Sequence, residues 1–100
     1  MKMKFNLKFT EEAKSQFLEL EKCKDKLAQY KSVSKTLGLM QANLRHPSLH
    51  THKYDALTSP FGAEVFESYA QNKTPGAYRI FWCYGPERSF ITILAITSHP

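Results

Sequence analysis

The sequence predicts an α+β fold made of an N-terminal strand, a helical hairpin and a four-strand antiparallel meander, in the order βααββββ. Its apolar residues first alternate with polar ones, then repeat with a helical period, and after Pro47 recur in short β-type runs. The chain has 100 residues, of which 42% are hydrophobic, and only four Gly and five Pro. Such a composition is typical of one packed domain, here expected over residues 1–100.

The N-terminal elements are a strand and a first helix. Apolar and polar residues alternate over residues 3–9, which predicts a strand with one buried face. Thr10 then stands at an N-cap position, and the two glutamates after it complement the helix dipole. We therefore expect the first helix to begin directly after Thr10.

A second helix is expected after a polar run in which Asp25 could provide the N-cap. An apolar stripe with helical spacing then predicts one long helix, and the stripe consists of Leu27, Tyr30, Val33, Leu37, Met40 and Leu44. His46 is expected to end this helix, because a residue that precedes a proline is pushed out of the α region.

Four short β-type runs follow, separated by segments that are rich in turn residues. They cover residues 50–57, 64–71, 77–84 and 90–97. Short connections predict that consecutive strands are antiparallel neighbours. The last two runs are apolar on both faces, so we expect them at the centre of the sheet, with the helices covering one side.

The charge of the chain is uneven. Residues 1–53 hold 11 Lys or Arg against 5 acidic residues, whereas residues 54–100 hold 3 against 4. A basic N-terminal half could attract a polyanion or an acidic protein, or could simply be a hydrated helix surface. No stretch is apolar enough for a membrane helix or a signal sequence, so we expect a cytoplasmic protein in which Cys23 and Cys83 are free thiols.

Motifs for cofactor or metal chemistry are absent from the sequence. It has no glycine-rich phosphate loop, no serine-hydrolase elbow and no paired cysteines, so no cofactor is expected. His50 and His52, with His46 nearby, would make only part of a zinc site. Because no carboxylate or thiol follows at ligand spacing, we expect strand-surface histidines and no metal.

Arg79 is the most informative single position, because it interrupts an apolar run that should lie at the centre of the sheet. An unpaired guanidinium there would be costly. One hypothesis is an ion pair with Glu64 or Glu67 on the neighbouring strand. The other is a concave surface on which the planar fork of Arg79 receives a phosphate.

In outline the whole chain resembles the RelE/ParE toxin superfamily. The similar segments are Arg45-His46-Pro47 after the hairpin, residues 52–57, residues 76–82 with Arg79 at the signature arginine, and residues 90–96 followed by His99. The resemblance implies a RelE-like fold and the toxin role in a type II toxin–antitoxin pair, with a cognate protein antitoxin as partner. It also implies either ribosome-dependent mRNA cleavage or, in the ParE branch, inhibition of DNA gyrase.

Cleavage of RNA without a metal needs an activated 2′-hydroxyl, a stabilised phosphorane and a protonated 5′-oxygen. The resemblance implies Arg79 for charge stabilisation and His99 for proton transfer, and it suggests four RNA-binding candidates, which are Lys53, Arg45, Tyr69 and Tyr84. The third strand departs from the ribonuclease branch, because Glu64, Glu67 and Tyr69 stand where basic residues are usual. Glu67 could serve as the base, or it could pair with Arg79 and leave a non-enzymatic binding protein of the same fold.

Overall fold

The computed structural model describes residues 4–98 and has the predicted order of strand, two helices and four strands. The strands are β1 (Asn6–Phe9), β2 (His52–Lys53), β3 (Val65–Tyr69), β4 (Tyr78–Tyr84) and β5 (Phe90–Ser98). The helices are α1 (Glu11–Lys22) and α2 (Leu27–Ala42), with short 3-10 helices at Lys24–Lys26 and Pro47–Leu49. The predicted α+β class is confirmed.

The strands form one sheet in the order β1-β5-β4-β3-β2. From β2 to β5 each strand pairs antiparallel with the next, so the predicted meander is confirmed. β1 adds to the other side of β5 in parallel, with Leu7 opposite Ile91. A parallel pair needs a crossover connection, and here both helices and three strands intervene in sequence between its members. β4 and β5 are inner strands, as their two apolar faces predicted.

The start of α1 is as predicted. Thr10 has extended backbone, and its Oγ1 accepts a hydrogen bond of 3.1 Å from the backbone N–H of Ala13. The same hydroxyl donates to the carbonyl oxygen of Leu94 at 3.0 Å. One side chain therefore caps α1 and fastens it to β5.

The expected cap of the second helix is wrong. Asp25 lies inside the 3-10 helix that connects α1 to α2, and the N-cap residue of α2 is Lys26, which makes no side-chain capping bond. The 3-10 helix runs directly into α2, so Asp25 stands within turning backbone instead of ahead of it. The break itself falls at Cys23, where the backbone becomes extended.

α2 also ends earlier than predicted, at Ala42 instead of His46. Asn43 leaves the helical region, and its Oδ1 accepts a hydrogen bond of 3.1 Å from the backbone N–H of Arg45. Asparagine favours such local bonds over the helix ladder. His46 itself lies outside the α region, with a ψ of 129°, as its position before a proline predicted.

β2 is much shorter than the predicted run over residues 50–57. His50 has left-handed backbone, with φ 48° and ψ 39°, so the strand begins only after it. The chain turns again at residues 55–56. Tyr54, just beyond β2, places its ring 4.7 Å from that of Phe81.

The main core lies between the helices and one face of the sheet. It contains Ala13, Leu20, Val33, Leu37, Met40, Leu44, Leu49, Ile80, Trp82, Ile91, Ile93 and Ile96. Most of the predicted stripe on the second helix is therefore buried, but Leu27 at its start is 54% exposed. The opposite face of the sheet, here called the helix-free face, holds a smaller cluster of Val65, Phe81 and Ala95 beneath Tyr54.

Candidate functional site

Arg79 lies on the helix-free face of β4, opposite Tyr69 on β3 and Thr97 on β5. It is only 6% exposed. Its Nη1 donates to the carbonyl oxygen of Gln71 at 2.6 Å, and its Nε lies 3.8 Å from Glu67 Oε2. Of the two predicted ion-pair partners, Glu67 is therefore the one that Arg79 approaches.

Glu67 is buried, and it is held from the other side by His52 on β2. His52 Nε2 lies 2.6 Å from Glu67 Oε1, and His52 Nδ1 lies 2.8 Å from the carbonyl oxygen of His50. A carbonyl oxygen can only accept, so Nδ1 of His52 is the donor in its hydrogen bond to His50. Both ring nitrogens of His52 are thus engaged within the protein.

Tyr69 covers Arg79. The guanidinium carbon lies 3.6 Å from the centroid of the Tyr69 ring, a cation–π contact. On the side toward the sheet edge, the ring of His50 lies 5.0 Å from that of Tyr69. Arg79, Glu67 and Tyr69 therefore form one polar cluster with His52 and His50, and we call these five residues the Arg79 cluster.

Lys53 is separated from this cluster. Its neighbour His52 pairs with Glu67, whereas Lys53 pairs with Phe66, and successive side chains of a strand point to opposite faces. Lys53 Nζ lies 3.2 Å from Glu64 Oε2, and both side chains are exposed. Glu64 is therefore the partner of Lys53 and not of Arg79, and the alternation keeps Lys53 away from Arg79.

Arg45 and Tyr84 lie together in a second place, an open cleft of about 450 Å³ on the helix side of the sheet. Its floor consists of Phe66, Trp82 and Tyr84, and its wall of residues 44–47 and 50–51. We call it the aromatic cleft. Phe66 and Trp82 are not among the predicted site residues. The alternation of side chains along β4 turns Trp82 and Tyr84 to the same face, and it could have identified Trp82 as a neighbour of Tyr84.

His99 lies outside the described residues. Within residues 4–98, no three His, Cys, Asp or Glu side chains come together as metal ligands would. His46 lines the aromatic cleft, whereas His52 points to Glu67 on the helix-free face.

The helical hairpin carries exposed charges of both signs, because Glu11, Glu12, Glu19, Glu21 and Asp25 are exposed beside its lysines. Six exposed lysines stand on α1, α2 and the turn between them, and they are Lys14, Lys22, Lys24, Lys26, Lys31 and Lys35. Lys26 Nζ donates to the hydroxyl of Tyr78 at 3.2 Å, and this hydrogen bond raises the pKa of the lysine. Leu18 and Leu27, which are 39% and 54% exposed, give the same surface an apolar component. In the part of the chain that the structure describes, no helix is long and apolar enough to cross a membrane.

Two solved structures are similar to this one over nearly the whole chain. A chain of the archaeal RelE–RelB complex from Pyrococcus horikoshii OT3 has a TM-score of 0.64 at 13% identity and covers 96% of each chain. YoeB from Staphylococcus aureus, solved as a dimer, has a TM-score of 0.61 at 15% identity and covers 97% of this chain and 99% of its own. No protein-family model and no curated protein matches the sequence. The chain therefore has the RelE/YoeB-like fold that the resemblance to the RelE/ParE toxin superfamily implied.

Proposed function

We propose that this chain is the toxin of a type II toxin–antitoxin pair and that its partner is a cognate protein antitoxin. The RelE/YoeB-like fold supports this role, and one of the two similar structures is a RelE–RelB complex. The exposed lysines of the hairpin, together with exposed Leu18 and Leu27, support docking of an amphipathic segment that folds on binding.

The proposed activity is metal-independent, ribosome-dependent cleavage of mRNA in the cytosol. It rests on one observation, the gathering of Arg79, Glu67 and Tyr69 on the helix-free face. In the reaction the 2′-oxygen attacks phosphorus and the bond to the 5′-oxygen breaks. Glu67 would take the proton of the 2′-hydroxyl, Arg79 would stabilise the phosphorane, and His99 would protonate the leaving oxygen.

A second candidate is a non-enzymatic binding protein of the same fold, such as a gyrase inhibitor or an inactive toxin-like module. The engagement of Arg79 favours it, because its guanidinium is buried, covered by Tyr69 and hydrogen-bonded to the Gln71 carbonyl oxygen. An RNA phosphate would reach Arg79 only if the Tyr69 ring moved. Glu67 Oε1 is likewise already bonded to His52.

Induced expression with and without the adjacent gene, read as growth and transcript integrity, tests the toxin role. We expect growth arrest and transcript cleavage only when the adjacent gene is silent. Unchanged growth in both cases would argue against a toxin. Arrest with intact transcripts would favour the non-enzymatic candidate.

Glu67→Gln and Arg79→Ala test the catalytic assignment on purified programmed ribosomes. Glu67→Gln keeps the shape of the side chain but leaves buried Arg79 without its counter-ion, so we expect a folded protein of lower stability whose cleavage rate falls about 10²- to 10⁴-fold. Arg79→Ala removes the guanidinium from one side of the buried Glu67 carboxylate. We expect this loss to lower the free energy of unfolding by about 3 kcal/mol.

Arg88→Ala is the matched control, because Arg88 is exposed in the turn between β4 and β5 and its loss removes the same charge. Thermal unfolding separates lost catalysis from lost stability. Full cleavage by Glu67→Gln would refute Glu67 as the base. A wild-type protein that binds its antitoxin and never cuts would support the second candidate.

A further inference from the structure

The aromatic cleft has a floor of packed rings with one ring open to solvent. Phe66 and Trp82 are stacked with centroids 5.0 Å apart, and Tyr84 meets Trp82 edge-on at 5.0 Å. Trp82 Nε1 donates to the buried Ser68 hydroxyl at 2.8 Å, which fixes the indole. Tyr84 is 48% exposed, so a flat ligand can reach this rigid aromatic surface.

The rim of the cleft holds one cation and one imidazole that can donate a hydrogen bond. Exposed Arg45 lies there with His46, whose Nδ1 accepts a hydrogen bond of 3.2 Å from the backbone N–H of Ser48. Nδ1 is therefore the unprotonated nitrogen, and Nε2 of His46 carries a proton that it can donate. Of the described residues that line the cleft, none is Asp or Glu. Aromatic side chains together with one cation and an imidazole N–H donor favour a planar base attached to a phosphate.

We infer that the aromatic cleft binds one unpaired nucleotide of an RNA strand, with the base against Tyr84 and its phosphate at Arg45 and His46. This inference deepens the proposed endonuclease function and rests on it for the identity of the polymer. The volume of about 450 Å³ lies in the range of roughly 300 to 1,000 Å³ that small-molecule sites occupy.

The cleft is distinct from the Arg79 cluster, because the two lie on opposite faces of the sheet. His50 borders both, since it lines the cleft and its ring packs 5.0 Å from that of Tyr69. β2 has only two residues, so the edge that an RNA strand must cross is short. The cleft would therefore hold a nucleotide that flanks the scissile bond, on the far side of His50 from Arg79.

A short, fluorescently labelled 2′-O-methyl RNA tests the inference, because it lacks the 2′-hydroxyl needed for cleavage. The fluorescence anisotropy of the label measures the affinity of the RNA for the protein. A change in the emission of Trp82, the one tryptophan of the chain, shows that the RNA binds in the cleft. Tyr84→Ala should weaken binding about tenfold or more, whereas Tyr84→Phe should preserve it. Arg45→Ala should lower the slope of log affinity against log salt by about 0.7.

Lys14→Ala is the control, because Lys14 is exposed on α1, away from the cleft, and its loss removes the same charge. Its Trp82 response and salt slope should match those of the wild type. The inference is overturned if the wild type does not bind the RNA, or if Lys14→Ala reduces binding as much as Arg45→Ala does. Failure of the proposed endonuclease has a different signature, which is RNA bound in the cleft and no cleavage on programmed ribosomes.

Discussion

At the residue scale, Ser68 shows how buried polar groups of the sheet are satisfied by neighbouring strands. Its side chain is fully buried on β3. Its Oγ accepts from Trp82 Nε1 at 2.8 Å and shares a hydrogen bond of 2.7 Å with the hydroxyl of Thr51. One small side chain thus satisfies the indole of β4 and also links β3 to the segment that leads into β2.

Ser68→Ala should therefore destabilise the protein far more than its small change in volume suggests. The substitution leaves a buried indole N–H without its acceptor, so we expect the free energy of unfolding to fall by about 1 to 3 kcal/mol. Urea denaturation monitored by tryptophan fluorescence measures it. Ser89→Ala, at an exposed position before β5, is the control. If Ser68→Ala and Ser89→Ala lower the free energy of unfolding by the same small amount, the hydrogen bond of Ser68 to the indole does not stabilise the protein.

At the element scale, the start of α1 is fastened to an irregularity in β5. Phe81 pairs with Ala95, but the next residue, Trp82, pairs with Ile93, so Leu94 is an extra residue in β5. Such a bulge leaves a carbonyl group out of the regular ladder. The hydroxyl of Thr10 binds this carbonyl group, since it donates a hydrogen bond of 3.0 Å to the carbonyl oxygen of Leu94.

Thr10→Ala should test this junction. It removes both the helix cap and the bond to the bulge, so we expect a loss of about 1 to 2 kcal/mol in the free energy of unfolding. Thr10→Ser keeps the hydroxyl and should lose much less. Chemical denaturation of the two variants measures the difference, and equal losses would mean that the methyl group of Thr10, and not its hydroxyl, matters.

The positions of elements followed from periodicity, but their ends and their register did not. The end of α2 depended on a local bond of Asn43, which competes with the helix in a way that no apolar pattern records. The separation of Lys53 from Arg79 depended on the register of β2 against β3. A shift of one residue would have turned Lys53 to the face of Arg79 and His52 to the opposite face. For this reason the sequence offered Glu64 and Glu67 as alternative partners of Arg79 and left open on which face of the sheet Lys53 lies.

At the scale of the whole molecule, the alternation over residues 3–9 predicted a strand but not its place in the sheet, and β1 lies at an edge with no residue of its own fully buried. Alternation does not say which edge it joins or in which direction, so the parallel pairing with β5 was not predicted. The aromatic cleft was missed for a related reason. It forms where the segment after α2 meets β3 and β4, so it depends on tertiary packing that no single element encodes.

The two thiols should report on this architecture through their reactivity. Cys83 is fully buried on β4, an inner strand, and burial raises the pKa of its thiol. Cys23 is half-buried at the break between α1 and the 3-10 helix, beside an open cavity of about 290 Å³. The thiolate is the reactive species, so a buried thiol with a raised pKa is protected both by access and by protonation.

We therefore expect iodoacetamide to modify Cys23 of the native protein and to reach Cys83 only when the sheet opens. While the sheet is closed, burial also keeps the pKa of the Cys83 thiol raised, which lowers the fraction of its reactive thiolate. Peptide mass spectrometry over time, with a urea-unfolded sample as the reference for full reactivity, measures both rates. Opening of an inner strand requires an excursion close to global unfolding, so the Cys83 rate should follow the free energy of unfolding and rise in Ser68→Ala. Equal labelling of the two thiols in the native protein would mean that β4 is not the protected centre of the sheet.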